Sequence, residues 1–235
     1  MGLPKLDKPI FDINVPILNK QYKCRPYLVK EEKILLLAQQ SGEFKQIVNA
    51  TKQIINNCIM DEEIDFSSMP YWALEWIILQ LRIQSAGETV TVQYQDNEDN
   101  EVYKFDIDLT EIELTSDPDH SDTVEITDDL FLKMKYPTLD HLTHTEGLNT
   151  DNVSNVYNLI KMSIETVYSD DEMFEFGNYS EEEKTEFIDQ FDTNSLLKVA
   201  KFFDGAPTIK HDITYTNKND KERKIELRSL NDFFI

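Results

Sequence analysis

His141 and His144 form the only pair of imidazoles within one helical turn, with Asp140 and Glu146 beside them. On a helix, that spacing brings both rings near a carboxylate, the beginning of a metal centre, but one such pair supplies too few ligands without distant help. A solvated helix terminus is the plainer reading. Asp117, Asp119 and Asp122 resemble the start of a calcium loop, yet Ser121 and Asp122 occupy the places of its third ligand and obligatory glycine. Cys24 and Cys58 lie in apolar patterns and form no ligand cluster, which suits interior thiols and a reducing compartment. The glycines fall singly at 2, 42, 87, 147, 177 and 205, so neither a phosphate-binding loop nor a dinucleotide fingerprint can be assembled. A Gly-x-Ser-x-Gly elbow is missing as well. Carboxylates are so numerous that any two could be cited as an acid and base couple, which deprives the pattern of weight. The expectation is a protein without catalysis, metal or cofactor.

The chain has 235 residues, 40% of them apolar, enough to bury a core without a metal or disulfide. Its 45 acids against 23 basic side chains give a formal charge of −22, which repels nucleic acid and anionic lipid. Acids concentrate from Asp96 to Asp129, where Lys104 is the lone basic residue. That run reads as solvated loops, as a surface for a basic protein, or as mimicry of DNA charge. The start lacks an apolar signal segment, and Leu6 stands where a myristoylation signal needs Ser or Thr. The longest apolar stretch, Tyr71 to Ile83, is too short to cross a bilayer and reads as a buried helix, with Tyr71, Trp72 and Trp76 in the core rather than in a ligand cleft.

The elements that must position any site alternate between strand and helix periods. Phe11, Ile13 and Val15, then Tyr22 and Cys24, read as paired strands, after which Pro26 interrupts the ladder and a charged first turn opens an apolar helix. Phe44, Ile47, Val48, Thr51, Ile54, Ile55 and Cys58 keep helical spacing. Val90, Val92 and Tyr94 with Tyr103, Phe105, Ile107 and Leu109 form a hairpin. The second half reads alike: Val124 and Ile126, then Leu132, Met134 and Tyr136, then Pro137. A helical series follows from Val153 through Val156, Tyr157, Ile160 and Ile164 to Val167. Ser180 with Glu183 makes a capping box, Thr193 restarts a helix that runs to Gly205, and a last hairpin joins Ile213 and Tyr215 to Ile225 and Leu227. The expected fold is α+β, a pseudo-duplication of two similar units of small antiparallel strands and helices, residues 1–116 and 117–235.

One stretch carries a family likeness. Leu3-Pro4-Lys5-Leu6-Asp7, the run Arg25-Pro26-Tyr27-Leu28-Val29-Lys30-Glu31-Glu32-Lys33, and Ile55-Asn56-Asn57-Cys58 resemble the signature of the T4-type phage baseplate hub assembly proteins. Met134-Lys135-Tyr136-Pro137, Lys210-His211 and Asn231-Asp232-Phe233-Phe234 extend the likeness along the chain. Some relatives carry cysteine pairs at the hairpin tips, similar to zinc ribbons, where this chain has Asp96 to Asn100 and Asn217 to Asp220. The likeness therefore implies polar turns and no zinc here. It further implies a phage-encoded, non-enzymatic, chaperone-like factor acting in the host cytoplasm, whose partners are baseplate hub proteins. A permanent hub component and an acidic DNA-mimicking inhibitor are the alternatives. Candidate grips are the strand-to-helix corner, Arg25, Pro26, Tyr27, Lys30 and Lys33, and the tail, Leu230, Phe233, Phe234 and Ile235.

Overall fold

The computed structural model describes residues 7–61, 64–144, 153–170 and 172–234. These residues build an α+β protein of two compact units, one formed by residues 1–64, 72–115 and 208–235, the other by 65–71 and 116–207.

In the first unit, β1 (Phe11–Val15) and β2 (Lys20–Cys24) pair antiparallel, with Ile13 and Val15 of β1 buried and its polar neighbours outward, as period-two alternation demands. Helices α1 (Val29–Ser41) and α2 (Phe44–Cys58) follow as an antiparallel pair, joined at Gly42, whose φ of 68° favours a residue without Cβ. Helix α3 (Tyr71–Ala86) is apolar on nearly every side because it is buried on several faces; Trp72, Leu74, Ile77, Leu79 and Leu81 are all interior. A hairpin of β3 (Thr89–Gln95) and β4 (Val102–Asp108) comes next, then the short β5 (Glu113–Thr115).

The second unit is a meander of four strands flanked by helices. Its strands are β6 (Thr123–Thr127) and β7 (Leu130–Met134), followed by α4 (Leu139–His144) and α5 (Val153–Ser163). Then come β8 (Ile164–Ser169), β9 (Glu172–Glu175), α6 (Glu181–Ile188) and α7 (Thr193–Asp204). The sheet order is β6-β7-β8-β9. Leu132 at its centre packs with Val124, Ile164, Val167, Val199 and Phe202 in one core. The capping box is realised: the Glu183 N–H donates to Ser180 Oγ at 3.3 Å, and the Ser180 N–H donates to the Glu183 carboxylate at 2.8 Å.

The chain then returns to the first unit through β10 (Thr208–Thr216), β11 (Glu222–Leu227) and α8 (Leu230–Phe234). Strand β10 pairs on one side with β11 and on the other with β5, giving the order β11-β10-β5. Ile209, Ile225, Leu227 and Phe233 complete a core with Leu79, Ile83, Val92, Ile107 and Leu109.

Two expectations change. A division into residues 1–116 and 117–235 fails for the last hairpin, because the unpaired edge of β5 recruits β10 and the aromatic face of β3–β4 recruits Tyr215. The series from Val153 to Val167 is not one helix: α5 stops at Ser163, and β-branched Ile164, Thr166 and Val167 enter a central strand between β7 and β9. Helix α7 ends at Gly205 as read, with φ −84°; a Cβ there would lie 2.6 Å from His120 Nδ1, so close approach rather than backbone conformation excludes a side chain. The two units do share one local arrangement. The Arg25 N–H donates to Cys58 O at 2.9 Å, and the Lys135 N–H donates to Ser163 O at 2.7 Å. In each case the residue leaving a hairpin is tied to the end of the helix whose next residue pairs with that hairpin.

Candidate functional site

The strand-to-helix corner is built around a residue that looked like an ordinary first-turn acid. Glu31 is fully buried. The Arg25 guanidinium donates to Glu31 Oε1 at 3.0 Å, the Leu28 N–H donates to Oε2 at 2.8 Å, and Lys30 Nζ lies 3.2 Å from Oε1. Burial pushes the Glu31 carboxyl up, but the hydrogen bonds from Arg25, Leu28 and Lys30 outweigh it and hold it below its ordinary value. Arg25 also donates to Pro26 O at 2.9 Å, and the Tyr27 N–H donates to Ser85 Oγ on α3 at 2.9 Å. Pro26 has no N–H to donate, which lets the chain leave the β2 ladder without an orphaned donor. Arg25, Pro26 and Tyr27 are thus half-buried parts of a turn that sets the angle of α1, while Lys30 and Lys33 stand at the surface of α1.

Around this corner the surface is apolar as well as basic. Val29, Leu36 and Leu37 on α1 are 80%, 59% and 55% exposed. Burial pushes the thiols up, Cys58 to about 11 and Cys24 to about 12, so both are unreactive near neutrality.

The tips of the β3–β4 and β10–β11 hairpins form a second polar cluster. Tyr215 Oη donates to the buried Asp96 carboxylate at 2.6 Å, and Arg223 Nε lies 3.3 Å from the same group. The Lys218 N–H donates to the Asp99 carboxylate at 3.0 Å, and Lys221 pairs with Glu98. Asn217, also buried, accepts from the Asn219 and Lys221 N–H groups. Asn100 at φ 59° and Asp220 at φ 57° take the left-handed positions that these residue types tolerate. The acidic run beginning at Asp96 is therefore partly engaged inside its own unit.

The remaining chemical candidates resolve into local structure where they are described. His141 Nδ1 accepts from the Thr138 N–H at 3.3 Å at the start of α4; the side chain of His144 and all of Glu146 lie outside the described residues. Asp117 accepts from the Asp119 N–H at 2.9 Å, and Asp122 pairs with Lys133. Among the described residues, no three His, Cys, Asp or Glu side chains are grouped to hold a metal ion.

A family model described as T4 bacteriophage base plate protein matches residues 8–235. The chain belongs to that baseplate family. Neither a curated protein nor a solved structure matches it.

In this baseplate-family chain the tail is packed rather than displayed. Phe233 is 1% exposed inside the first unit's core, Leu230 packs against that core, and the Leu230 N–H donates to the buried Glu75 carboxylate at 3.2 Å. Neither is a free anchor, because α8 spends both on its own unit; the Phe234 side chain and Ile235 lie outside the described residues. Sequence reasoning missed Glu31 and the outward leucines. The signal for Glu31 is Arg25 six residues upstream across a proline. The signal for the leucines is the run Ile34-Leu35-Leu36-Leu37, too continuous for one helical face to bury.

Proposed function

We propose that this phage baseplate-related protein is a non-enzymatic, chaperone-like factor that binds subunits of the central baseplate hub while the tail is assembled in the host cytoplasm. The observation that carries this reading is the exposed apolar face of α1, Val29, Leu36 and Leu37, beside Lys30 and Lys33, on a chain of the baseplate family. Exposed valine and leucine side chains grouped on one helix of an otherwise strongly charged protein offer a docking surface. The net charge of −22 keeps the factor, and a complex with a client, soluble while apolar surface awaits burial. The alternative as a DNA-charge mimic loses the start of its acidic run, because Asp96, Glu98 and Asp99 are paired with Tyr215, Arg223, Lys218 and Lys221. The test is affinity purification of the tagged chain from infected cells at early and late times. Recovery of a hub subunit that peaks before tails are complete is the expected result; recovery of a host nuclease or polymerase in its place overturns the reading.

A further inference from the structure

The four-stranded sheet of the second unit carries apolar side chains on the face turned away from its core. Leu132, Val167 and Phe174 point into that core, so Phe131, Tyr168 and Met173, each one residue away on its strand, point to the opposite side. Phe131 lies opposite Tyr168, and Tyr168 opposite Met173, which sets the three in one row across β7, β8 and β9. Tyr168 is 38% exposed and Met173 59%. The row ends at β9, which closes the sheet with no strand on its far side among the described residues. Alternate N–H and C=O groups of such an edge point away from the neighbouring strand and can pair with a further one. The other edge is engaged: α7 packs on β6, and Lys198 Nζ donates to Ile126 O at 2.9 Å.

Charge around this edge has one sign. Residues 116–207 carry six Lys and no Arg against 21 Asp and Glu, a net −15. Four of those lysines are engaged: Lys133 with Asp122, Lys161 and Lys184 with Glu181, and Lys198 with the Ile126 carbonyl. Lys135 follows β7 four residues beyond Phe131, and Lys201 belongs to α7. Glu172 and Glu175 on β9, Glu125 opposite Phe131, and Asp170 in the turn before β9 are all exposed. We propose that β9 accepts an extended, basic segment of a partner protein as a fifth strand, with an apolar side chain of that segment beside Met173 and lysines or arginines beside Glu172 and Glu175. The free edge supplies the main-chain bonds, the row supplies apolar contact, and the acids select the sign of the partner. A second copy of this chain fits poorly, because antiparallel pairing of two β9 strands about their centre sets each Glu172 against a Glu175. This surface lies in the other unit from the α1 face, and the inference stands apart from the hub reading.

The test passes the full chain over an array of short overlapping peptides that covers all the baseplate proteins of the same phage. The retained peptides should be basic, with apolar residues at alternate positions. In solution, the strongest of them should slow amide exchange at residues 172–175, which attraction to acidic surface alone does not do. N-methylating that peptide at alternate residues keeps its charges and side chains but removes every second N–H; one of the two methylation phases should abolish binding and the other should be tolerated. Glu172→Lys with Glu175→Lys, both at exposed positions, should bind about tenfold more weakly at low salt and lose much of the salt dependence. Retention of no peptide, retention of acidic peptides, protection at α1 in place of β9, equal binding by the two methylated forms, or unchanged binding by the double glutamate variant each overturns the proposal. So does a dimer of this chain whose formation slows exchange at β9. Binders drawn wholly from baseplate proteins outside the hub support this proposal and count against the hub reading, so the two fail separately.

Discussion

Replacing Glu31 by alanine should be among the most damaging single changes available in the first unit. The carboxylate is fully buried and engages the Arg25 guanidinium at 3.0 Å, the Leu28 N–H at 2.8 Å and the Lys30 ammonium at 3.2 Å. Alanine leaves Arg25, itself mostly enclosed, facing an empty site, and strips the first turn of α1 of an acceptor. Breaking a buried pair by removing one partner costs about 3–5 kcal/mol, and Arg25's residual access to water places this case near the lower end, at about 3 kcal/mol. For a chain of 235 residues, each kcal/mol moves the melting point by about 2–4 °C, so the transition reporting the first unit should fall by about 6–12 °C. Glu31→Gln keeps an acceptor for Leu28 and should lose roughly half as much. Amide exchange followed by mass spectrometry assigns the loss to residues 25–41 and distinguishes it from an effect on the other unit. In a double-mutant cycle, Arg25→Ala should lose much of its own cost in the Glu31→Ala background. If Glu31→Ala melts within about 2 °C of the unsubstituted protein, the corner is not held by this carboxylate and its assignment as a positioning turn is wrong.

Other outcomes follow from the same contacts. Leu132→Ala opens a cavity at the centre of the second sheet and should cost about 2–5 kcal/mol in urea titration, whereas Leu197→Ala, on an exposed position of α7, should cost little. Gly205→Ala drives a Cβ to within 2.6 Å of a His120 ring packed against both Tyr136 and Phe202, and should destabilise the second unit by about 1–3 kcal/mol, read from its melting transition. Hydrogen bonds from Arg228 and Lys224 hold Asp212 down at about 2, so its contribution is complete above the ordinary carboxylate value and is lost as pH falls from about 4 toward 2; Asp212→Asn should remove that part of the acid unfolding curve. Tyr215 runs the other way. Burial and its bond to Asp96 push it up to about 12, so its contribution is complete below pH 10 and fades as pH rises toward 12, and Tyr215→Phe should flatten the alkaline limb.

Local periods in the sequence were readable wherever one pairing partner lay close by. The β1–β2, β3–β4 and β10–β11 hairpins show alternation on both arms, and their registers place Ile13 opposite Tyr22, Val92 opposite Phe105 and Ile213 opposite Ile225. The capping box at Ser180 is a four-residue pattern with a local cause, and it forms as read. Distant partners decided what failed. Ile160, Ile164 and Val167 satisfy a helical period, and only the pairing of Met134 with Ile164 across β7 and β8 converts the last two into a strand. The return of the last hairpin depends on β5 and on the ring of Tyr215 meeting Tyr103 and Phe105, at centroid distances of 4.7 and 5.2 Å, contacts between residues distant in the chain. At the candidate site, Lys30 and Lys33, read as grips, stand at the surface, but a buried glutamate and a solvated one look the same in a charged first turn. In the sequence Phe233 reads as part of a grip, and only the tertiary core takes its ring inside.

Quantitative mass spectrometry of the phage's purified particles, compared with the infected-cell lysate, tests the assembly role most directly. A transient factor should be abundant in the lysate and absent from finished particles, while the hub subunits are present in fixed copy number. A constant, symmetry-matched number of copies of this chain in every particle would contradict it and make the protein a permanent part of the baseplate.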